Sequence, residues 1–173
     1  MTALTPVTTG TTGSDQIPVD EFRGALLAAL DEAFVGAPNP WTLFTDRGSS
    51  LLETLATIDA TTASRVISTR TATIAAQVNH TRFYLDVLLA GLQNGFDEKA
   101  DWSGSWQIGE VNDEEWQDLI ARLRDSFTTA RAFVETNTEW NPTILAGAFG
   151  LVAHSAYHLG EIRQALAALQ VPE

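Results

Sequence analysis

The sequence predicts an all-α protein, a four-helix bundle with short extra helical segments. Three observations carry this reading. Four long segments repeat apolar residues every three or four positions, which puts them on one helix face. No segment shows the apolar–polar alternation of a half-buried strand. Asp, Asn, Thr, Gly and Pro stand where helices start and stop.

Residues 1–18 read as a flexible N-terminal arm, and 19–173 as one bundle domain. The first helix is predicted to start at Asp20, whose carboxylate can cap free amides. Phe22, Leu26, Leu30 and Phe34 form its stripe, and Gly36, Pro38 and Pro40 end it. A loop carrying Trp41 and Phe44 leads to two short helical pieces, 51–58 and 60–66, split at Asp59. The second long helix spans about 72–92, with Thr71 as its cap. It carries one arc of Ile74, Val78, Leu85, Leu88 and Leu92 and another of Ala76, His80, Phe83, Tyr84 and Val87. Two apolar arcs on one helix imply burial on most sides. The third helix opens at Asn112 with a capping-box pattern and acids suited to the helix dipole. Its stripe is Trp116, Leu119, Ile120, Leu123, Phe127, Ala130 and Val134. Asn141-Pro142 opens the fourth helix, which runs to about Leu169. The connection over 95–111 is long for a bundle, and such loops are often functional.

The composition excludes several functions. Twenty-two acidic residues against ten basic ones leave a formal charge of −12 in 173 residues. One Lys and nine scattered Arg do not make the basic patch that nucleic acids require. No apolar run reaches the 18–20 residues of a membrane span, and residues 1–17 do not read as a secretory signal. A cytoplasmic location is expected. The chain has no Cys, so disulfides, thiolate metal sites and a Cys nucleophile are excluded.

Chemistry concentrates on histidine. The three in the chain, His80, His154 and His158, all fall inside long helices. His154 and His158 are four apart and share a helix face, so both imidazoles can reach one ion. A third from a neighbouring helix would complete a three-nitrogen cap for Zn, Ni, Mn or Fe. Ionisable rings in a bundle interior are costly unless something uses them. Ser155 follows His154, so this is not the zinc-protease pattern, which needs Glu there.

The segment from His154 through Leu159, Gly160, Glu161 and Ile162 resembles the H-x-x-x-H-x-G-[EQ]-I signature in the last helix of the DinB/YfiT-like superfamily. Residues 73–85, around His80, are similar to that superfamily's second-helix segment, whose His is the first ligand. The resemblance covers most of residues 20–169. It implies a four-helix bundle of DinB/YfiT-like type holding a divalent metal through His80, His154 and His158. Members of known activity are thiol-dependent enzymes. They transfer bacillithiol, mycothiol or glutathione to electrophiles, or isomerise maleylpyruvate. The implied function is a metal-dependent S-transferase or hydrolase acting on a small molecule, with a low-molecular-weight thiol as co-substrate. A metal with an open position stabilises a thiol as thiolate, so the protein needs no Cys of its own. By analogy with related proteins, a homodimer is expected.

Glu161 lies on the ligand face and is the candidate catalytic residue, either as a general base or as a partner to a ligand ring. The plainer alternative is a surface carboxylate paired with Arg163 or Arg82. Gln77 and Tyr84 flank His80 and can line a pocket and offer a donor, or serve simply as bundle core, while Asn79 can cap or orient a ring. Gly160 either permits close helix packing or is simply a tolerated small residue. Trp102 and Trp106 can form a lid over the pocket, whereas Trp41 and Trp140 read as packing residues. The acids Asp97, Glu98, Asp101 and Asp113 to Glu115 read as solvated. The competing function is a non-enzymatic helical stress or interaction protein with a structural or vestigial metal site.

Overall fold

A computed structural model of the chain describes residues 16–37, 41–68, 71–96 and 99–170. Most of the predicted arm, with Pro38, Pro40, Asp97 and Glu98, lies outside the described residues. Those residues form six α-helices and no strand: α1 (Val19–Phe34), α2 (Leu51–Leu55), α3 (Ala60–Ser64), α4 (Ile74–Asn94), α5 (Asp113–Thr136) and α6 (Pro142–Leu169). The four long helices pack as a bundle. α4 lies between α5 and α6, and α1 packs against the same two helices from across the bundle. None of the described helices is long and apolar enough to cross a membrane.

Side chains set most helix starts. Asn112 Oδ1 accepts from the Glu115 amide while the Glu115 carboxylate accepts from the Asn112 amide, closing the predicted capping box. Asn141 caps α6 through the Ile144 amide, with Pro142 at the first helical position. Asp59 caps α3 through Thr62, and Glu53 reaches back to Ser50 at α2.

Two predicted caps are corrected. Asp20 lies inside the first turn of α1, paired with Arg23 at 2.5 Å, and Pro18 holds the cap position. α4 is capped by Thr73, whose hydroxyl accepts from the Ala76 amide, while the Thr71 hydroxyl turns back to Ser68. The short helices end earlier than predicted. The amides of Thr57, Ile58 and Arg65 each bond three residues back, which tightens the chain out of α-helix.

The buried face of α5 is Trp116, Leu119, Leu123, Phe127, Ala130 and Val134. Only Ile120 of the predicted stripe sits higher, half-buried. Phe127 stacks on Phe34 of α1 at 4.5 Å, and Arg131 pairs with Asp31 at 2.9 Å along the same seam. In α4, every residue from Ile74 to Thr81 is buried, as two apolar arcs require. The third side is covered by the 99–111 segment, whose 3₁₀ turn, Gly104–Trp106, packs on α4.

Sequence reading missed Glu32. It is only 1% exposed, and its carboxylate accepts from the amides of Leu43 (2.6 Å), Phe44 (2.7 Å) and Thr45 (2.7 Å) and from the Thr45 hydroxyl. Burial raises its pKa, but the four donors outweigh that and hold it below the usual carboxylate value. This contact ties the loop after α1 to the bundle. Trp41 in that loop is 84% exposed.

Glu32→Gln is expected to lower unfolding free energy by about 2 kcal/mol at neutral pH, because backbone donors lose a charged acceptor. A group with a depressed folded-state pKa stabilises above its unfolded value. The gap between wild type and variant should therefore hold above pH 4.5 and shrink as pH falls further. Urea unfolding at pH 7 and pH 3.5 measures it, and a gap that widens in acid contradicts the assignment.

Candidate metal centre

α4 and α6 face each other along one side of the bundle, and all three histidines lie on that seam. His80 comes from α4, and His154 and His158 come from successive turns of α6. Ring centroids are 5.2 Å apart for His80–His154, 5.0 Å for His80–His158 and 4.4 Å for His154–His158. One ligand nitrogen from each lies within 4.8 Å of the others. That spacing lets one divalent ion take all three rings as ligands.

The surrounding hydrogen bonds fix which nitrogen of two rings carries the proton. His80 Nδ1 is 2.7 Å from Ser105 Oγ, and that hydroxyl spends its own proton on the Trp102 carbonyl at 2.7 Å. Ser105 therefore accepts, so His80 Nδ1 donates and Nε2 keeps its lone pair. Gln77 does the same for His158. Its Nε2 donates to the Glu161 carboxylate at 2.8 Å, and a carboxylate can only accept, so the amide orientation is set. Gln77 Oε1, 2.5 Å from His158 Nδ1, must then accept from that ring. The third ring differs: His154 Nε2 is buried with no hydrogen-bond partner. An orphaned buried polar atom costs about 1–3 kcal/mol, and an ion at this point would remove that cost. The donor set fits a divalent metal.

Burial also keeps the rings neutral. It pushes His80 and His154 down to about 4, and the neighbouring imidazoles add to the effect against the opposing Glu161 carboxylate. Burial lowers His158 as well, with Glu161 again opposing. Neutral imidazole is the ligating form.

Aromatic rings wall the cluster. Trp106 stacks on His80 at 3.8 Å, and Tyr84 stacks on His154 at 3.6 Å. Tyr84 can lie there because residue 150 is Gly: a Cβ would come within 2.8 Å of the Tyr84 hydroxyl. Trp102 sits further out, 6.3 Å from His80 and 44% exposed. Asn79 holds the loop, donating to the Ser105 carbonyl at 2.7 Å. The rings, with Gln77, Trp106 and Glu161, open onto a cavity of about 910 Å³.

Glu161 pairs with neither predicted arginine. Arg82 binds Asp86 at 2.6 Å, and Arg163 donates to the Ser49 carbonyl. The Glu161 carboxylate instead accepts from the Tyr157 hydroxyl at 2.6 Å and from Gln77, and it lies 3.3 Å from His158 Nδ1. The His158 Nδ1 proton goes to Gln77 Oε1, so Glu161 reaches that ring through Gln77. Burial raises the Glu161 pKa, but those donors outweigh it and leave the carboxyl below its usual range. Gly160 does not mediate close packing: a Cβ there would meet nothing within 4 Å. Within α6 the close approaches are at Gly147 and Gly150. Asp101 accepts from the Gly104 amide at 2.8 Å and shapes the 3₁₀ turn. Ser105 was missed by sequence reading, because a loop serine carries no signal of the ring it meets.

Comparison of the chain with models of known families, with curated proteins and with solved structures found no match.

In metal-free protein, nitrogen-15 NMR of the imidazoles at pH 7 should show His80 and His158 as neutral Nδ1–H tautomers. Ser105→Ala should release His80 alone into a tautomer mixture. An Nε2–H tautomer at either ring in the native protein would contradict the network.

Proposed function

We propose that this protein is a divalent-metal protein of the DinB/YfiT-like type, in which His80, His154 and His158 hold one ion and small molecules are transformed beside it. The proposed reaction class is thiol-dependent transfer to an electrophile, or hydrolysis. The observation that carries the reading is the cluster of three neutral imidazoles, two with Nδ1–H anchored and the third with an unpartnered buried nitrogen. Zn, Ni, Mn and Fe all suit such ligands. A bound ion would supply Lewis acidity, lowering the pKa of a water or thiol so that the nucleophile forms near neutral pH.

The chain's own residues position and shield. Ser105 and Gln77 hold two rings in the ligating tautomer, as outer partners do in metal sites generally. Trp106 and Tyr84 cover ring faces and keep water from them. We assign Glu161 a positioning role through Gln77 and His158. A second reading is favoured by one observation: each Glu161 oxygen accepts from a protein donor, Tyr157 or Gln77, which ties the carboxylate into the network that holds the rings. On that reading the metal site is structural or vestigial and the protein is a non-enzymatic stress or interaction protein.

Protein purified without a His tag is expected to carry about one equivalent of divalent metal, and His158→Ala none. Gln77→Leu should weaken metal affinity about 10- to 100-fold. Metal-dependent conjugation of a thiol to monobromobimane separates the enzyme from the structural site. No metal after incubation with Zn, Ni, Mn and Fe rejects the enzyme and leaves a binding module with a vestigial site, and bound metal without any thiol- or water-dependent turnover favours the structural site.

A further inference from the structure

α6 is apolar on its outer side as well as its inner one. Between Pro142 and Gly160 it carries no Asp, Glu, Lys or Arg, in a chain of formal charge −12. α5, by contrast, turns Asp118, Arg122, Arg124 and Asp125 outward. A helix that is apolar all round is suited to being covered all round. Within the chain, α1 and α4 flank α6, and the opposite side stays open: Phe149 is 55% exposed and Tyr157 60%.

The open face has a symmetric order. Ala146, Phe149, Ala153, Tyr157 and Gly160 are all exposed, and at 3.6 residues per turn they lie within about 40° of one line down the helix. In either direction from Ala153 the order is the same, an aromatic ring four residues away and a small residue seven away. Such a face is complementary to itself. A twofold axis at Ala153 sets two antiparallel copies of α6 together, each Phe149 beside the partner's Tyr157 and each Ala146 beside the partner's Gly160. An isologous contact requires this kind of match. It also gives Gly160 a purpose. Glycine weakens a helix relative to alanine, and within the chain a Cβ at 160 would meet nothing within 4 Å. Against a second copy it lets two backbones approach.

Charge and size agree. Two acidic copies repel, and the outer face of α6 brings no like charges together over Pro142 to Gly160. α6 has 28 residues, which makes it about 42 Å long and about 10–12 Å across. A strip of that length and about two helix widths, α6 with the flanks of α1 and α4, matches the about 800 Å² per partner that a stable pair buries.

We propose that two copies of this chain pair antiparallel through the outer face of α6, on a twofold axis at Ala153. The pairing reaches the histidine cavity. Tyr157, Gly160 and Gln164 line that cavity from the same face of α6. The partner's Phe149, Ala146 and Pro142 come opposite them, so each cavity takes part of its rim from the other copy. The pairing needs no bound ion.

Sedimentation velocity of the full chain tests this, with circular dichroism to check that each variant keeps its helices. The chain should run as a dimer at about 50 µM. Ala153→Arg places two guanidinium groups against each other on the axis and should weaken the dimer about 100-fold or more. Ala146→Arg should also weaken it, and serves if the first variant does not fold. The chain has no Cys, so introduced thiols report the register. Diamide should link Ala153→Cys into a covalent dimer. It should not link Ala146→Cys, because antiparallel copies hold the two residues 146 about 21 Å apart. A monomer at about 50 µM overturns the proposal and leaves the face to another occupant, residues 1–15 of the chain itself or a different protein. A dimer that survives the Arg substitutions in folded protein overturns it too. So does a dimer that links through Ala146→Cys and not through Ala153→Cys.

Discussion

The Gln77 amide bridge between α4 and α6 is the interaction on which the site depends. One side chain accepts from His158 Nδ1 and donates to Glu161, joining the two helices across the seam that holds all three imidazoles. Burying three such rings is unfavourable unless each polar nitrogen finds a partner. Gln77 and Ser105 meet that need for two of them, and both do so at Nδ1. The network thus pays for burial only in part, and what it leaves over is the lone pairs of His80 and His158 together with the buried His154 Nε2. One ring nitrogen of each histidine lies within 4.8 Å of the others, which lets a single ion reach all three.

The rest of the fold serves that seam indirectly. α5 and α1 supply an apolar core that stacks Phe34 on Phe127 and buries Trp116, whose indole N–H donates to the Ile58 carbonyl at 2.7 Å. This part needs no chemistry beyond burial. The 99–111 segment does both jobs: Ser105 orients His80, and Trp106 covers it. Asn79 and Arg82 reach that segment in relay, Arg82 donating to Asn79 Oδ1 and Asn79 to the Ser105 carbonyl. The ligand helix therefore also anchors the loop that shields it. Glu32 does comparable work elsewhere, gathering three loop amides onto one buried carboxylate far from the histidines in sequence.

The helices were legible in the sequence because their signals are local. The α5 stripe from Trp116 to Val134, the Asn112 box and the Asn141-Pro142 start each depend on neighbours a few residues away. Convergence of His80 with the α6 pair was reached through family resemblance, since their spacing of more than 70 residues has no local signature. What escaped was non-local and polar. Glu32 looks like any acid on a helix until its loop folds back over it. Ser105 becomes a ring partner only once the 3₁₀ turn seats it on α4. Gly160 sits inside the motif, yet the crowded glycines of α6 are Gly147, against Leu92, and Gly150, against Tyr84. The caps at Thr73 and Pro18 fell within two residues of the predicted ones, the ordinary margin for helix ends.

The central claim is that three imidazoles, one from α4 and two from α6, bind a single ion. X-ray absorption spectroscopy of the zinc-loaded protein tests it most directly. The account predicts a first shell at about 2.0–2.1 Å of nitrogen and oxygen donors, with outer-shell scattering from three imidazole rings. That scattering should fall to two rings in His154→Ala. A shell dominated by carboxylate or water oxygen, with one imidazole or none, would contradict it.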